Sequence, residues 1–232
     1  MHRIAIISPD ATEEMAASLA RLDLEPVAIP RTGLVQWPIA GHPDLQMFVH
    51  KGSVFCHPDL GPDFLGKIDR NAAIIMCTTR LAREYPGDVP YNVACTGTHA
   101  FHHGTALDPT IRHYMEKSGI ALCGVAQGYA KCSTLIVDER AVITADASIH
   151  SAASASGLDS LLINPGSIDL PGYAYGFIGG ATGIAGDMVL STGTLTHHPD
   201  YDSIEAFISG HGRRIVPLSR HRAVDLGTIF VL

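Results

Sequence analysis

The sequence predicts an α/β fold built from five imperfect repeats of one strand-hairpin-helix-strand unit. Short apolar segments separated by turn residues recur at intervals of about 40 residues, inside the range typical of repeat architectures. Within most intervals, a polar-Pro-Asp or Ala-Asp group precedes the segment that carries helical signals. These observations favour a ring of like units, although an open α/β sheet with regular strand-helix alternation would leave a similar pattern.

The strands are predicted from apolar runs of about four to eight residues that lie between turn residues. In chain order, these runs occupy residues 3–7, 25–29, 45–50, 53–56, 72–77, 92–96, 120–125, 132–137, 141–145, 160–164, 187–192 and 213–218. The helices are predicted from their start signals, because Asp and Ser side chains cap free N–H groups and Pro fits a first helical turn. Those starts lie at Ser8-Pro9-Asp10, Pro58-Asp59, Asp108-Pro109, Asp146 and His198-Pro199-Asp200.

The fourth unit carries the clearest pattern, because its local signals all agree. Strands at 132–137 and 141–145 are joined by a polar turn, and Asp146 then caps a helix. Gly157 ends that helix, since glycine readily adopts the left-handed conformation that closes a last helical turn. A strand at 160–164 completes the unit.

The first unit lacks its opening strand and begins with residues 3–7, which lead into a helix at 11–22. Residues 224–232 form an apolar segment that no helix follows, so we expect them to supply the missing strand. Their pairing with residues 3–7 would complete the fifth copy, close the ring and remove an unpaired sheet edge. Residues 1–232 are therefore expected to form a single domain.

Composition excludes several classes of protein. Hydrophobic residues make up 46% of the chain and charged residues 17%, which indicates a folded globular protein. The net charge of −7 argues against a nucleic-acid partner, since such binding uses clustered Lys and Arg. No apolar run approaches the roughly 18 residues of a membrane span and no signal-peptide pattern is present, so a cytoplasmic location is expected. Five cysteines without regular spacing favour free thiols over disulfides.

Several stretches resemble an uncharacterised bacterial family that is assigned to the pentein, or guanidino-group-modifying enzyme, fold. They are GHPDLQM (41–47), YNVAC (91–95), QGYAKCSTLIVDERAVITAD (127–146), LPGYAYGFIGGATG (170–183), HHPDYDSI (197–204) and DLGTIFVL (225–232). The resemblance implies a five-bladed α/β propeller around a central pocket. It also implies chemistry in which a Cys nucleophile, a His and acidic residues act on a guanidinium group, although the superfamily includes a ribosome anti-association factor without catalysis.

In such a ring the opening segments of the units line the axis, which brings several reactive side chains together. The expected axial residues are His42, Asp44, Asn92, Cys95, Cys132, Gly179, Gly180 and Asp225. Carboxylates suit the recognition of a guanidinium, because they accept paired hydrogen bonds from it. We therefore predict that Asp44 and Asp225 hold a cationic substrate, with Asn92, Cys95 and Gly180 as further substrate-binding residues.

Cys132 is the predicted nucleophile, because it opens the strongest repeat and follows Lys131, whose charge would favour the reactive thiolate. The alternative is that Cys132 only fills a packed axis, and Cys95 is then the second candidate. His42 is predicted to act as general acid or base beside Asp44, whereas the alternative for His42-Pro43-Asp44 is a structural turn. The superfamily's enzymes carry their nucleophile near the C-terminus, where this chain has no cysteine.

The predicted function is a Cys-dependent hydrolase or transferase that acts on a guanidino or amidino small molecule. The different-class alternative is a non-catalytic binding module for a protein or small-molecule partner, and a homo-oligomer remains open. No cofactor is predicted, since the glycine-rich segment at 170–186 matches neither GxGxxG nor GxxxxGK[ST]. No metal is predicted either, because the densest group of metal-ligating residue types, Cys95, His99, His102 and His103, lacks an HExxH or paired CxxC pattern.

Overall fold

The computed structural model describes residues 3–232, which contain five three-stranded sheets. In chain order the elements are β1 (Arg3–Ile7), α1 (Glu13–Arg21), β2 (Leu24–Ala28), a 3₁₀ turn (Trp37–Ile39), α2 (Pro43–Gln46), β3 (Met47–His50), β4 (Ser53–Cys56), α3 (Pro62–Ile68), β5 (Ala73–Met76), β6 (Ala94–Cys95), β7 (His99–His103), α4 (Pro109–Lys117), β8 (Ala121–Val125), α5 (Ala130–Ser133), β9 (Thr134–Ile136), β10 (Ala141–Thr144), α6 (Ala147–Ala155), β11 (Asp159–Leu162), β12 (Thr182–Ala185), β13 (Met188–Ser191), α7 (Tyr201–Gly210), β14 (Arg214–Pro217) and β15 (Phe230–Val231). The sheets have the orders β15-β1-β2, β3-β4-β5, β6-β7-β8, β9-β10-β11 and β12-β13-β14. The predicted α/β fold of five similar units is confirmed.

Each sheet has one antiparallel and one parallel pairing around its middle strand. In the fourth unit, Ile143 of β10 lies opposite Leu135 of β9 in the antiparallel pair and opposite Leu161 of β11 in the parallel pair. The parallel pair is joined by helix α6, since parallel strands need a long crossover connection. The hairpin-helix-strand order of the unit is therefore the one that the sequence predicts.

The first sheet joins the two ends of the described chain. Strand β15 pairs antiparallel with β1, with Ala5 opposite Val231 and Ile6 opposite Phe230. Parallel pairing of β1 with β2 then completes a sheet of the same form as the other four. The expectation that the C-terminal segment supplies the missing strand is confirmed, although only Phe230–Val231 of residues 224–232 forms regular strand.

Helix starts follow the predicted caps at two positions and depart from them at the other three. Asp146 accepts hydrogen bonds from the N–H groups of Ser148 and Ile149, and Asp108 caps α4 in the same way. Helix α1, however, is capped by Thr12, whose hydroxyl accepts from the N–H of Met15, and not by the predicted Ser8-Pro9-Asp10 group. Helix α3 begins after Gly61, and Asp59 lies in a turn in which its N–H donates to His57 Nδ1. At the start of α7, the carboxylate of Asp200 accepts from the N–H of Asn164 and does not cap the helix.

Three predicted strands near the ring axis are shorter than expected. Only Ala94–Cys95 of the 92–96 segment is strand, and short helices α2 and α5 replace the first part of the 45–50 and 132–137 segments. The backbone there bonds between units instead of along a ladder: the N–H of Asp44 donates to Gly227 O at 3.1 Å, and the N–H of Gly180 donates to Cys132 O at 2.8 Å. These inter-unit bonds take up groups that a longer strand would have paired within its own sheet.

The apolar core lies between the sheets and the helices. On α4, Ile111 and Met115 are fully buried, and on α6 Ile149 and Ala153 take the same inward positions at a spacing of four residues. The core thus holds the units together around the axis. Within residues 3–232, no helix is both long and apolar enough to cross a membrane.

The Asp146→Ala variant should lower the free energy of unfolding by about 1 kcal/mol, because α6 loses the carboxylate that caps two N–H groups. Urea denaturation followed by circular dichroism measures the change. Asp59→Ala is the matched control, since Asp59 caps no helix and makes an exposed ion pair with Arg80 at 3.3 Å, so its effect should be smaller. Equal losses in the two variants would contradict the capping role.

Candidate functional site

Five segments near the axis each contribute to one cluster of buried polar side chains. Its members are His42 and Asp44 at the start of α2, Asn92 before β6, Lys131 and Cys132 on α5, Gly179 and Gly180 before β12, and Asp225 with Thr228 before β15. Every unit is represented once, so the site is a product of the repeat. Apart from Cys95, the structure brings together all the axial residues that the sequence predicts.

Asp44 and Cys132 form the central contact of the site. The Cys132 thiol donates to Asp44 Oδ2 at 2.8 Å, and the two side chains are 2% and 1% exposed. Asn92 fixes both partners: its Nδ2 donates to the main-chain oxygen of Asp44 at 3.2 Å and lies 3.6 Å from Cys132 Sγ. Its Oδ1 accepts from the N–H of Lys131 at 2.6 Å. Asn92 is therefore a structural support of the site, as well as a predicted contact for substrate.

Asp225 lies beside His42, with Oδ1 of the carboxylate 3.8 Å from His42 Nδ1. Its oxygens accept hydrogen bonds from the N–H groups of Phe177 at 2.9 Å and Gly227 at 3.0 Å. These two donors hold the carboxylate in place on the floor of a pocket, which His42 and Cys132 also line. The three predicted groups for cation binding, acid-base chemistry and nucleophilic attack thus share one pocket.

Gly180 makes room for the Asp225 carboxylate and does not line the pocket. A Cβ at position 180 would lie 1.9 Å from Asp225 Oδ1, a distance that no side chain tolerates. The carbonyl of Gly180 accepts from the N–H groups of Leu226 and Thr228 at 3.1 and 2.7 Å. Its predicted role in substrate binding is thus indirect, through the carboxylate that packs against it.

The Lys131 ammonium is held by Thr228. It donates to Thr228 Oγ1 at 2.6 Å and lies 3.4 Å from the carbonyl of Gly179. The Thr228 hydroxyl is in turn near the carbonyls of Gly179 and Thr182, at 2.8 and 2.9 Å. Thr228 has a φ of +74°. Neither this conformation nor the contact with Lys131 could be predicted from the sequence. The only sequence signal near Thr228 is the DLGTIFVL motif.

Burial controls the electrostatics of the site. It raises the pKa of the Asp44 and Asp225 carboxyls, with His42 and Lys131 acting in the opposite direction, and it lowers the pKa of Lys131. The pKa of the Cys132 thiol is raised, first by burial and then by the charges of Asp44 and Asp225. This direction is opposite to the one expected from the proximity of Lys131 in sequence. In the free protein the thiol is therefore the favoured form of Cys132 at neutral pH.

The pocket above the cluster has a volume of about 260 Å³ and a largely apolar, aromatic wall. It is lined by Ile39, His42, Tyr129, Cys132, Leu170, Tyr173, Ala174, Tyr175, Phe177 and Asp225. Cys95 lies elsewhere, in a pocket of about 420 Å³ that it shares with Lys131 and His50 but not with Cys132. The structure thus separates the two cysteines that the sequence nominates.

Metal-ligating residue types converge at one place in residues 3–232. One ligand atom from each of His42, Asp44 and Cys132 lies within 4.8 Å of the others. The loop that carries Cys95, His99, His102 and His103 forms no such group in the described chain. Its imidazoles bond locally, with His99 Nδ1 3.0 Å from Thr98 Oγ1 and His102 Nδ1 3.1 Å from the His103 carbonyl.

Solved structures with a similar fold are guanidino-modifying enzymes. DDAH from Pseudomonas aeruginosa, in complex with citrulline, is 12% identical with a TM-score of 0.56, and the match covers 94% of this chain and 91% of that one. Inosamine-phosphate amidinotransferase from Streptomyces griseus is 11% identical with a TM-score of 0.55, covering 94% and 77%. C. jejuni agmatine deiminase is 8% identical with a TM-score of 0.54, covering 94% and 86%. At these identities the likeness shows the fold alone.

The five like sheets and these neighbours define a protein of the pentein fold, as the sequence resemblance implies. The chain belongs to a family of unknown function, DUF6873, whose profile matches residues 6–230. No curated protein matches the sequence. The predicted membership of an uncharacterised pentein family is confirmed.

The Gly180→Ala variant should have a free energy of unfolding lower by about 1–3 kcal/mol, because its methyl group overlaps the Asp225 carboxylate. Thermal and urea denaturation measure the loss. Gly104→Ala is the matched control, since a Cβ at Gly104 meets no atom within 4 Å. A Gly180→Ala protein as stable as the control would mean that Asp225 does not hold this position.

Proposed function

We propose that the protein is a Cys-dependent hydrolase or transferase that acts on a guanidino or amidino small molecule. The observation that carries the proposal is the contact between Cys132 Sγ and Asp44 Oδ2 at 2.8 Å, beside His42 and Asp225 in one pocket. A thiol, an imidazole and two carboxylates are the groups that such chemistry needs. The fold shared with DDAH, agmatine deiminase and an amidinotransferase supports the same class of substrate.

The cation would be held by Asp225, which lines the pocket, and by Asp44, which contacts the Cys132 thiol. Asp225 faces the pocket, and Asp44 Oδ1 has no hydrogen-bond partner within residues 3–232, so it has an acceptor site available for a guanidinium N–H. Aromatic side chains of Tyr129, Tyr173 and Phe177 wall the same pocket. Their faces suit a planar, weakly hydrated cation.

The proposed reaction begins with attack of Cys132 Sγ on the central guanidinium carbon, which forms an S–C bond. The thiol proton passes to Asp44, its hydrogen-bond acceptor. A C–N bond then breaks, and the leaving amine takes its proton from protonated His42. In a hydrolase, water next attacks the same carbon and gives a proton to His42. The S–C bond then breaks, the thiolate recovers its proton from Asp44, and the ureido product loses its remaining hydroxyl proton to solvent. In a transferase, an acceptor amine takes the place of water.

Because the pKa of the Cys132 thiol is raised in the free protein, we expect substrate binding to help to activate this thiol. Burial is the first cause of the raised pKa of Cys132, and the negative charges of Asp44 and Asp225 raise it further because they oppose a thiolate. A bound cation neutralises these charges and so favours thiolate formation beside it. The nucleophile then becomes reactive when a cationic ligand is present, and stays protonated otherwise.

A non-catalytic binding module is the second candidate, and two observations favour it. The thiol pKa is raised in the free protein, whereas a permanently activated nucleophile would have it lowered. Trp37 and Tyr173, on the walls of neighbouring pockets, are 69% and 46% exposed, which is unusual for large aromatic side chains. A partner could cover these side chains without any reaction at Cys132.

Alkylation tests the anionic pocket and the thiol together. We expect 2-chloroacetamidine, a cation, to label Cys132 at least about tenfold faster than iodoacetamide at pH 7, after both rates are divided by those for N-acetylcysteine. The iodoacetamide rate should still be rising at pH 9, because the pKa of the free thiol lies well above 9.0. Peptide mapping identifies the labelled site.

Asp225→Asn should remove the preference for the cationic reagent, and Cys95→Ser should leave it unchanged, since Cys95 lies outside the pocket. Slow labelling of Cys132 without preference for the cation would refute the nucleophile and favour the binding module.

Turnover is tested with a panel of guanidino and amidino compounds, with release of ammonia or amine and formation of ureido product as readouts. For any compound that is turned over, Cys132→Ser should lower kcat by more than about a thousandfold, because it removes the atom that forms the covalent bond. Cys95→Ser is the matched control and should retain activity. Turnover that survives in Cys132→Ser would assign the chemistry to another group.

A further inference from the structure

We propose that His42, Asp44 and Cys132 form a binding site for a single divalent ion of the zinc type. The metal site goes beyond the proposed function, because these three side chains would bind the ion whether or not the protein acts on a guanidino compound. The three residues come from two units of the ring, so neither local sequence pattern contains the complete set.

The geometry is the first argument. One nitrogen, one carboxylate oxygen and one sulfur lie within 4.8 Å of one another, and the oxygen-sulfur distance is 2.8 Å. Zinc bonds of about 2.0–2.3 Å in a tetrahedron place ligand atoms roughly 3.5 Å apart. A movement of the His42 nitrogen by about 1 Å, together with an opening of the oxygen-sulfur pair by less than about 1 Å, would therefore complete the set.

The donor chemistry is the second argument. Thiolate, imidazole and carboxylate together suit Zn²⁺ better than the hard ions Mg²⁺ and Ca²⁺, which take oxygen ligands. Three protein ligands leave a fourth position, and His42 and Cys132 face the 260 Å³ pocket from which water or an anion would fill it. Asp44 Oδ1, buried and without a hydrogen-bond partner in residues 3–232, adds a free acceptor to the set.

Two side chains are placed to support the ligands. Asp225 Oδ1 lies 3.8 Å from His42 Nδ1, so a small shift of the imidazole would bring the two into hydrogen-bond distance and leave Nε2 for the metal. Asn92 Nδ2, 3.6 Å from Cys132 Sγ, would support the thiolate by a hydrogen bond. A carboxylate beside the histidine and an amide beside the thiol are the kinds of outer partner that metal ligands have.

Zn²⁺ and Co²⁺ titrations of the full chain test the site. We expect one ion per chain by calorimetry, and a thiolate-to-Co(II) charge-transfer band that Zn²⁺ abolishes. Cys132→Ser should remove the band and weaken Zn²⁺ binding by at least about a hundredfold, as should His42→Ala. Cys123→Ser, which removes a half-buried thiol on β8, is the matched control and should leave both readouts unchanged.

A second measurement covers variants that fail to fold. Wild-type protein alkylated only at Cys132, as verified by peptide mapping, should lose its one equivalent of Co²⁺, while protein alkylated only at Cys95 should keep it. A band that survives Cys132 alkylation, or that disappears on Cys95 alkylation, would overturn the proposal. Zn²⁺ binding without turnover of any guanidino compound would contradict the proposed enzymatic function but support the metal site. Turnover without Zn²⁺ binding would support the enzymatic function but contradict the metal site.

Discussion

The burial of two carboxylates beside one lysine is the constraint on which the centre of this protein depends. Asp44 and Asp225 are each 1% exposed, and removal of such charges from water costs free energy unless hydrogen bonds and opposite charges offset it. The backbone supplies much of that compensation, since Asp225 accepts from Phe177 and Gly227. The repeat makes this possible, because each unit delivers one polar segment to the axis.

Glycine and short helices permit the close approach of these segments. Gly180 leaves space for a carboxylate, and Gly227 adopts a φ of +74° while its carbonyl accepts from the N–H of Asp44. Helix α2 positions His42 and Asp44 on one turn, with Pro43 at the first helical position. The outer helices and strands could vary in sequence with little effect on the site, whereas an added Cβ at Gly180 would displace its main anionic group.

The sequence predicts the parts of the molecule that depend on local signals. Asp146 and Gly157 bound α6 as expected, because a cap and a left-handed glycine act within one helical turn. Asp59 does not cap a helix, because α3 begins only after Gly61. The direction of the Lys131 side chain and its bond to Thr228 join positions 97 residues apart. No pattern in a single sequence encodes such a contact, whereas the repeat by itself predicts that His42, Asp44 and Cys132 meet at the axis.

The closing of the first sheet by β15 sets an order of assembly. The N–H of Asp44 is bonded to Gly227 and Lys131 is bonded to Thr228, so both need a segment that is synthesised later than they are. A nascent chain without residues 225–232 has Asp44 and Cys132 but lacks Asp225 and the bonding partners Gly227 and Thr228. The axial cluster is therefore a late product of folding, complete only when the C-terminal segment has joined the first sheet.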